Sequence, residues 1–155
     1  MQTKVGAENK AWKEVGKMEF FKGASEGFLR EIVWHLETLA FLPNTFILKQ
    51  GDPGDCMYFL TDGTAEVLQD GKQLAILNRG DLFGEMALLY EGKRTASIRA
   101  LEHCGVRKLK KTDFLRLCEE FSEFKEYIES VAQSRALSSI SARYGPRPPV
   151  KERGK

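Results

Sequence analysis

Between residues 38 and 109 the apolar positions come in runs too short for helices, and residues that favour tight turns cut off most of these runs. Runs at 39–42, 46–49, 57–61, 65–69 and 74–77 are separated by Pro43-Asn44, Gly51-Asp52-Pro53-Gly54, Asp62-Gly63 and Asp70-Gly71, and the pattern resumes at 96–100 and 105–109. Asx and Gly tolerate the left-handed backbone that reverses a strand within two residues, and alternating polarity suits a sheet with one buried face. About seven or eight short strands of this kind close into an antiparallel barrel or jelly roll, which hides its edges and can hold a ligand in its mouth. The expected class is α+β, mainly β: an antiparallel β-roll with N-terminal helices and two C-terminal helices.

The flanks carry helical spacing. Residues 7–21 place Trp12, Val15 and Met18 on one side before a break at Gly23. Ser25 is positioned to cap a second helix with Glu26 in its first turn and an apolar stripe of Phe28, Leu29, Ile32, Val33 and Leu36. Thr112 and Asp113 read as the cap of a third, bearing Phe114, Leu115 and Cys118. Phe121 opens a fourth in which Phe124, Ile128, Val131 and Arg135 share one face. An arginine that prolongs an apolar stripe should prefer to leave it, whereas the apolar part is explained by packing on the roll.

The stretch at 80–100, GDLFGEMALLYEGKRTASIRA, interrupts the strand pattern. Gly80 and Gly84 bracket a turn, and residues 85–89 have the composition of about one short helical turn. The amides of Gly84, Glu85, Met86 and Ala87 would then lie unpaired at a helix start, which suits an anion. The loop at 90–93 is short enough to bring the Arg94 guanidinium back over the same spot, where it can grip two phosphate oxygens, with the Thr95 hydroxyl beside it. A carboxylate at Glu85 is repulsive to phosphate unless it accepts a hydrogen bond from another part of the ligand, for which a sugar hydroxyl is the natural candidate. Tyr90 and Lys93 read as surface residues.

Phosphate with a ribose hydroxyl describes a nucleotide, and Phe83-Gly84-Glu85, Ala87-Leu88-Leu89 and Arg94-Thr95-Ala96 resemble the phosphate-binding cassette of the cyclic nucleotide-binding domain family. The resemblance implies that the amides after the glycine and Arg94 hold the cyclic phosphate and that Glu85 takes the 2′-hydroxyl. Lys93 stands where the family often has proline, and this basic neighbour with the RTAS run looks most like cyclic nucleotide-gated and hyperpolarisation-activated ion channels. Val67 aligns with a residue that touches the purine, and Val131-Ala132-Gln133-Ser134-Arg135 matches a segment whose arginine contacts the base from the final helix. Gly51, Gly63 and Gly80 match turn glycines, so the resemblance extends over roughly residues 10–140.

The chain of 155 residues is about one domain long. The expected division is a binding domain at 1–140 and a tail at 141–155 that is basic, proline-containing and disordered. That tail holds five basic residues against Glu152, a net +4, so the first 140 residues carry −2 of the total +2 and have no nucleic-acid footprint. Its Pro146-to-Lys151 run has the form of a polyproline ligand. No apolar run approaches the roughly 18 residues of a membrane span and no signal-peptide core is visible, which points to the cytosol. Cys56, Cys104 and Cys118 lack metal-binding spacing, and His35 and His103 read as structural, so neither a zinc site nor a disulfide framework is expected. One carboxylate beside one arginine lacks the ligand cluster of a hydrolase. The function expected from these features is non-catalytic binding of cyclic AMP or cyclic GMP, with closure of the final helix as readout and an effector such as a channel pore in cis or in trans. A ligand-free domain of the same fold is the alternative.

Overall fold

The computed structural model describes residues 12–13, 15–18, 21–90 and 92–137. Eight strands are found among them, β1 (Glu37–Phe41), β2 (Phe46–Leu48), β3 (Cys56–Asp62), β4 (Ala65–Gln69), β5 (Lys72–Leu77), β6 (Leu82–Phe83), β7 (Ser97–Ala100) and β8 (Cys104–Lys110). They form two antiparallel four-stranded sheets, in the orders β1-β8-β3-β6 and β2-β7-β4-β5. The turn residues named from sequence adopt left-handed backbone: Asn44 at φ 70°, Gly63 at 86°, and Asp70 and Gly71 at 53° and 83°. Two consecutive positive φ values make the β4–β5 connection a two-residue turn whose twist matches that of its strands.

Strand β3 explains where simple alternation stops. Cys56, Met57, Tyr58, Phe59 and Leu60 are all buried, because this sheet is covered on both sides. Tyr58 and Leu60 point into the roll with Phe83, Val106, Val67 and Ile98. Met57 and Phe59 point the other way, into a second core with Leu109 and the helices. The strand therefore reads as a continuous apolar run, with successive residues assigned to different cores.

The helical layer comprises α1 (Glu26–Ile32), α2 (Glu85–Tyr90), α3 (Lys111–Glu120) and α4 (Ser122–Leu137), together with helical turns at Trp12, Lys13, Val15 and Gly16. The Ser25 hydroxyl accepts from Phe28 N at 3.2 Å, the expected cap, and also donates to Glu123 at 2.9 Å, tying α1 to the start of α4. Phe28 packs against Phe21, Phe121 and Phe124 with centroids 5.8, 5.4 and 4.9 Å away, so one aromatic cluster joins the first and last helices. His35 has a structural position, its ring nitrogens 3.3 Å from Glu31 and 3.3 Å from Asp113. All three cysteines are free. Burial pushes the Cys118 thiol up to about 11.

Several expectations are corrected. Helix α3 starts at Lys111, before Thr112; its N-cap is Lys110, which makes no side-chain cap. β8 runs directly into this helix, and the first amide, Lys111 N, is satisfied by the Asp55 carbonyl at 2.9 Å. Leu115 is half exposed and Leu117 is buried in its place, because Phe114 and Leu117, three apart, form the inward face. Phe121 is the residue between α3 and α4 rather than the first of α4. Strand β6 was not anticipated, being two residues inside a glycine-bracketed turn. Residues 7–11, 14, 19 and 20 of the expected first helix and the tail at 141–155, with its boundary at 140, lie outside the described residues.

On the outer face of the second sheet, Phe46, Arg99, Glu66 and Ile76 stand in register across four strands. Glu66 is only 4% exposed. It accepts from Gln73 Nε2 at 2.9 Å and Arg99 Nε at 2.7 Å, and these bonds hold its carboxyl below the usual range. A depressed carboxyl contributes stability above its unfolded pKa and loses it as pH falls through the native value. Glu66→Ala is expected to lower stability by about 1–3 kcal/mol at pH 7, and urea unfolding should show the gap to wild type closing as pH drops below the usual glutamate range.

Candidate functional site

The interruption in the strand pattern folds as a turn, a short helix and a return. β6 ends at Phe83, Gly84 follows with φ +89°, and α2 begins at Glu85. A side chain at position 84 would be strained by that dihedral, and its Cβ would lie 3.0 Å from Arg94 Nη1 and 3.3 Å from the Cys56 carbonyl oxygen. Leu88 fixes α2 to the helical core, and Glu85, at the helix start, is fully buried.

Arg94 returns over this helix start and is only 7% exposed. Its Nη1 donates to the Gly84 carbonyl at 3.0 Å and its Nη2 to the Cys56 carbonyl at 2.6 Å. The backbone is held as well: Arg94 N donates to Asp52 O at 2.7 Å and Arg94 O accepts from Gly51 N at 2.9 Å. The Cys56 thiol lies 3.6 Å from Nη2 and 3.4 Å from the Tyr58 hydroxyl. Burial pushes both the Cys56 thiol and the Tyr58 phenol above their ordinary values, so both are neutral at pH 7 and neither offers the guanidinium a counter-charge. No carboxylate forms an ion pair with Arg94 among the described residues. A nearly buried cation held only by neutral groups is an incomplete arrangement, because burying an unpaired charge costs several kcal/mol.

Beside the guanidinium is a hollow of about 110 Å³, and six of the residues named from sequence line it: Gly84, Glu85, Met86, Ala87, Arg94 and Thr95. Val67 is not among the lining residues. Val67 is fully buried in the roll and lies behind Ile98, its cross-strand partner on β7, because β7 stands between β4 and β2. Arg135 falls on α4, and its side chain is outside the described residues. Sequence reasoning missed Leu48, Phe83, Ala96 and Ile98 as apolar lining. Alternation at 96–100, entering and along β7, in which Ala96, Ile98 and Ala100 are the buried positions, was the available signal. Tyr90 and Lys93 are exposed, as expected, yet both border the hollow.

The family model described as "Cyclic nucleotide-binding domain" matches residues 38–121. The chain is 37% identical over 109 residues to the voltage-gated inwardly rectifying potassium channel KCNH7 of Mus musculus, an alignment covering 69% of this chain and 9% of that one. It is 34% identical over 123 residues to the potassium/sodium hyperpolarization-activated cyclic nucleotide-gated channel 2 of Homo sapiens, covering 79% and 14%. It therefore spans only a small part of these relatives. Among solved structures, the C-linker/CNBHD of zELK channels crystallized in the presence of cAMP superposes with a TM-score of 0.68 at 28% identity, over 84% of this chain and 69% of that one.

Replacing Gly84 tests the geometry of this corner independently of any ligand. Gly84→Ala is expected to cost about 1–3 kcal/mol of stability, measured by urea denaturation, because the added methyl meets both the dihedral penalty and Arg94.

Proposed function

Because this chain belongs to the cyclic nucleotide-binding domain family, we propose that it is a non-catalytic sensor of cyclic AMP or cyclic GMP. The observation that carries the reading is the Arg94 guanidinium, nearly buried, without a carboxylate partner among the described residues, and facing a hollow that Glu85 also lines. A cyclic phosphodiester carries one negative charge, which complements one guanidinium. In this reading the amides at Gly84 to Ala87 and Arg94 hold the phosphate, Glu85 accepts from the ribose 2′-hydroxyl, and Leu48, Ala96 and Ile98 face the apolar parts of the ligand. Among the described residues the lining supplies a single carboxylate and no histidine or cysteine, which favours binding over hydrolysis.

Readout would pass through α4, which packs against α2 in the helical layer. Ligand biases such a contact only by its unequal affinity for two arrangements, with couplings of about 1–3 kcal/mol. Likeness to parts of potassium and hyperpolarization-activated channels supports a channel pore as the effector, with the domain on the cytosolic side. No described helix is long and apolar enough to cross a membrane, so in this reading the pore belongs to other residues or another chain. A second reading, a ligand-free interaction domain, draws on the two carbonyls that already engage the guanidinium.

Calorimetric titration with both nucleotides separates the two readings, since the ligand-free domain gives no heat. For a binding domain, Arg94→Ala is expected to weaken affinity by about 2–5 kcal/mol; unchanged affinity removes the phosphate assignment. Glu85→Ala should cost less, and should leave affinity for a 2′-deoxy analogue almost unaltered.

A further inference from the structure

Gly54 stands where no side chain fits. A Cβ built on it would lie 2.1 Å from the Cβ of Ala87 and 3.3 and 3.4 Å from Cζ and Nε of Arg94. Non-bonded carbons settle about 3.5–4.0 Å apart, and the first obstacle is the Cβ of a helix residue rather than the end of a flexible chain. Dihedral freedom is not the reason for glycine here, since Gly54 is absent from the residues with positive φ. The position is kept small for space.

That space lies between the two halves of the site, Ala87 on α2 and the guanidinium. The 51–56 segment cannot retreat easily. Asp52 O and Gly51 N bond the backbone of Arg94, Gly54 N donates to Gly92 O at 3.4 Å, and Cys56 O holds Nη2. A methyl at position 54 is therefore relieved by moving α2 away from Arg94, which widens the hollow.

We infer that Gly54 is a positioning residue that sets the distance between α2 and Arg94, and that Gly54 and Ala87 are a matched pair in which one residue must lack a side chain. The inference rests on reading the hollow as a cyclic phosphate site. Moving the methyl from Ala87 to position 54 keeps every amide and removes the clash, so the pair can be exchanged.

The full chain carrying Gly54→Ala, Ala87→Gly or both is titrated with cyclic AMP and cyclic GMP by calorimetry, alongside wild type and with ligand-free melting curves. Overpacking makes Gly54→Ala about 5- to 150-fold weaker, equally for both nucleotides because the contact is at the phosphate end. The double variant is expected within about threefold of Ala87→Gly alone. Absence of heat with wild type defeats the reading of the site itself. Wild-type binding with undiminished affinity in Gly54→Ala, or with no recovery in the double variant, overturns this inference alone. If Gly54→Ala does not fold, comparison of the double variant with Ala87→Gly decides: equal binding upholds the pair, and loss of binding or folding in the double variant overturns it.

Discussion

A guanidinium held almost out of water by uncharged groups sets the terms for everything around it. Transfer of an unpaired ion from water costs several kcal/mol, and two carbonyl dipoles return only part of it. The fold therefore has to hold Arg94 rigidly, and it does so from three points: the turn at Gly51 and Asp52, Gly84 just ahead of α2, and Cys56 at the start of β3. These segments are brought together by the closure of the roll. What remains unneutralised faces the hollow, and the proposed function rests on that residual charge.

Much of the architecture was legible because its turns are chemically explicit. Asp70-Gly71 marks the β4–β5 hairpin and Gly63 the passage from β3 to β4, with left-handed backbone that few other residues adopt readily, and the strands between such turns have no alternative of helical length. Legibility failed where tertiary context overruled local pattern. Thr112 looks like a cap, but Asp55, a residue far off in sequence, already satisfies the first amide of α3. Leu115 looks like core by composition, but the helix turns it outward. β6 is too short to leave a periodicity.

The site divides in the same way. Gly84, Glu85 and Arg94 were readable because their chemistry is specific and they are close in sequence. Val67 illustrates the limit: a valine on an alternating strand says which face it occupies and not how many strands separate it from the hollow. The order β2-β7-β4, which places Ile98 and Leu48 nearer the hollow, is a property of the closed roll. Gly54 was read as a turn glycine, and its closeness to Ala87 follows from a contact between segments more than thirty positions apart.

Strand β3 is a partition shared by two compartments. Cys56 anchors the guanidinium through its carbonyl, and Met57, the next residue, is fully buried among the helices. A single peptide unit is thus the shortest covalent route from the guanidinium side to the helical side. Planar and hydrogen-bonded within its ladder, that unit has little slack to absorb displacement. In the proposed function, a displacement of the anchor carbonyl would enter the helical core through Met57.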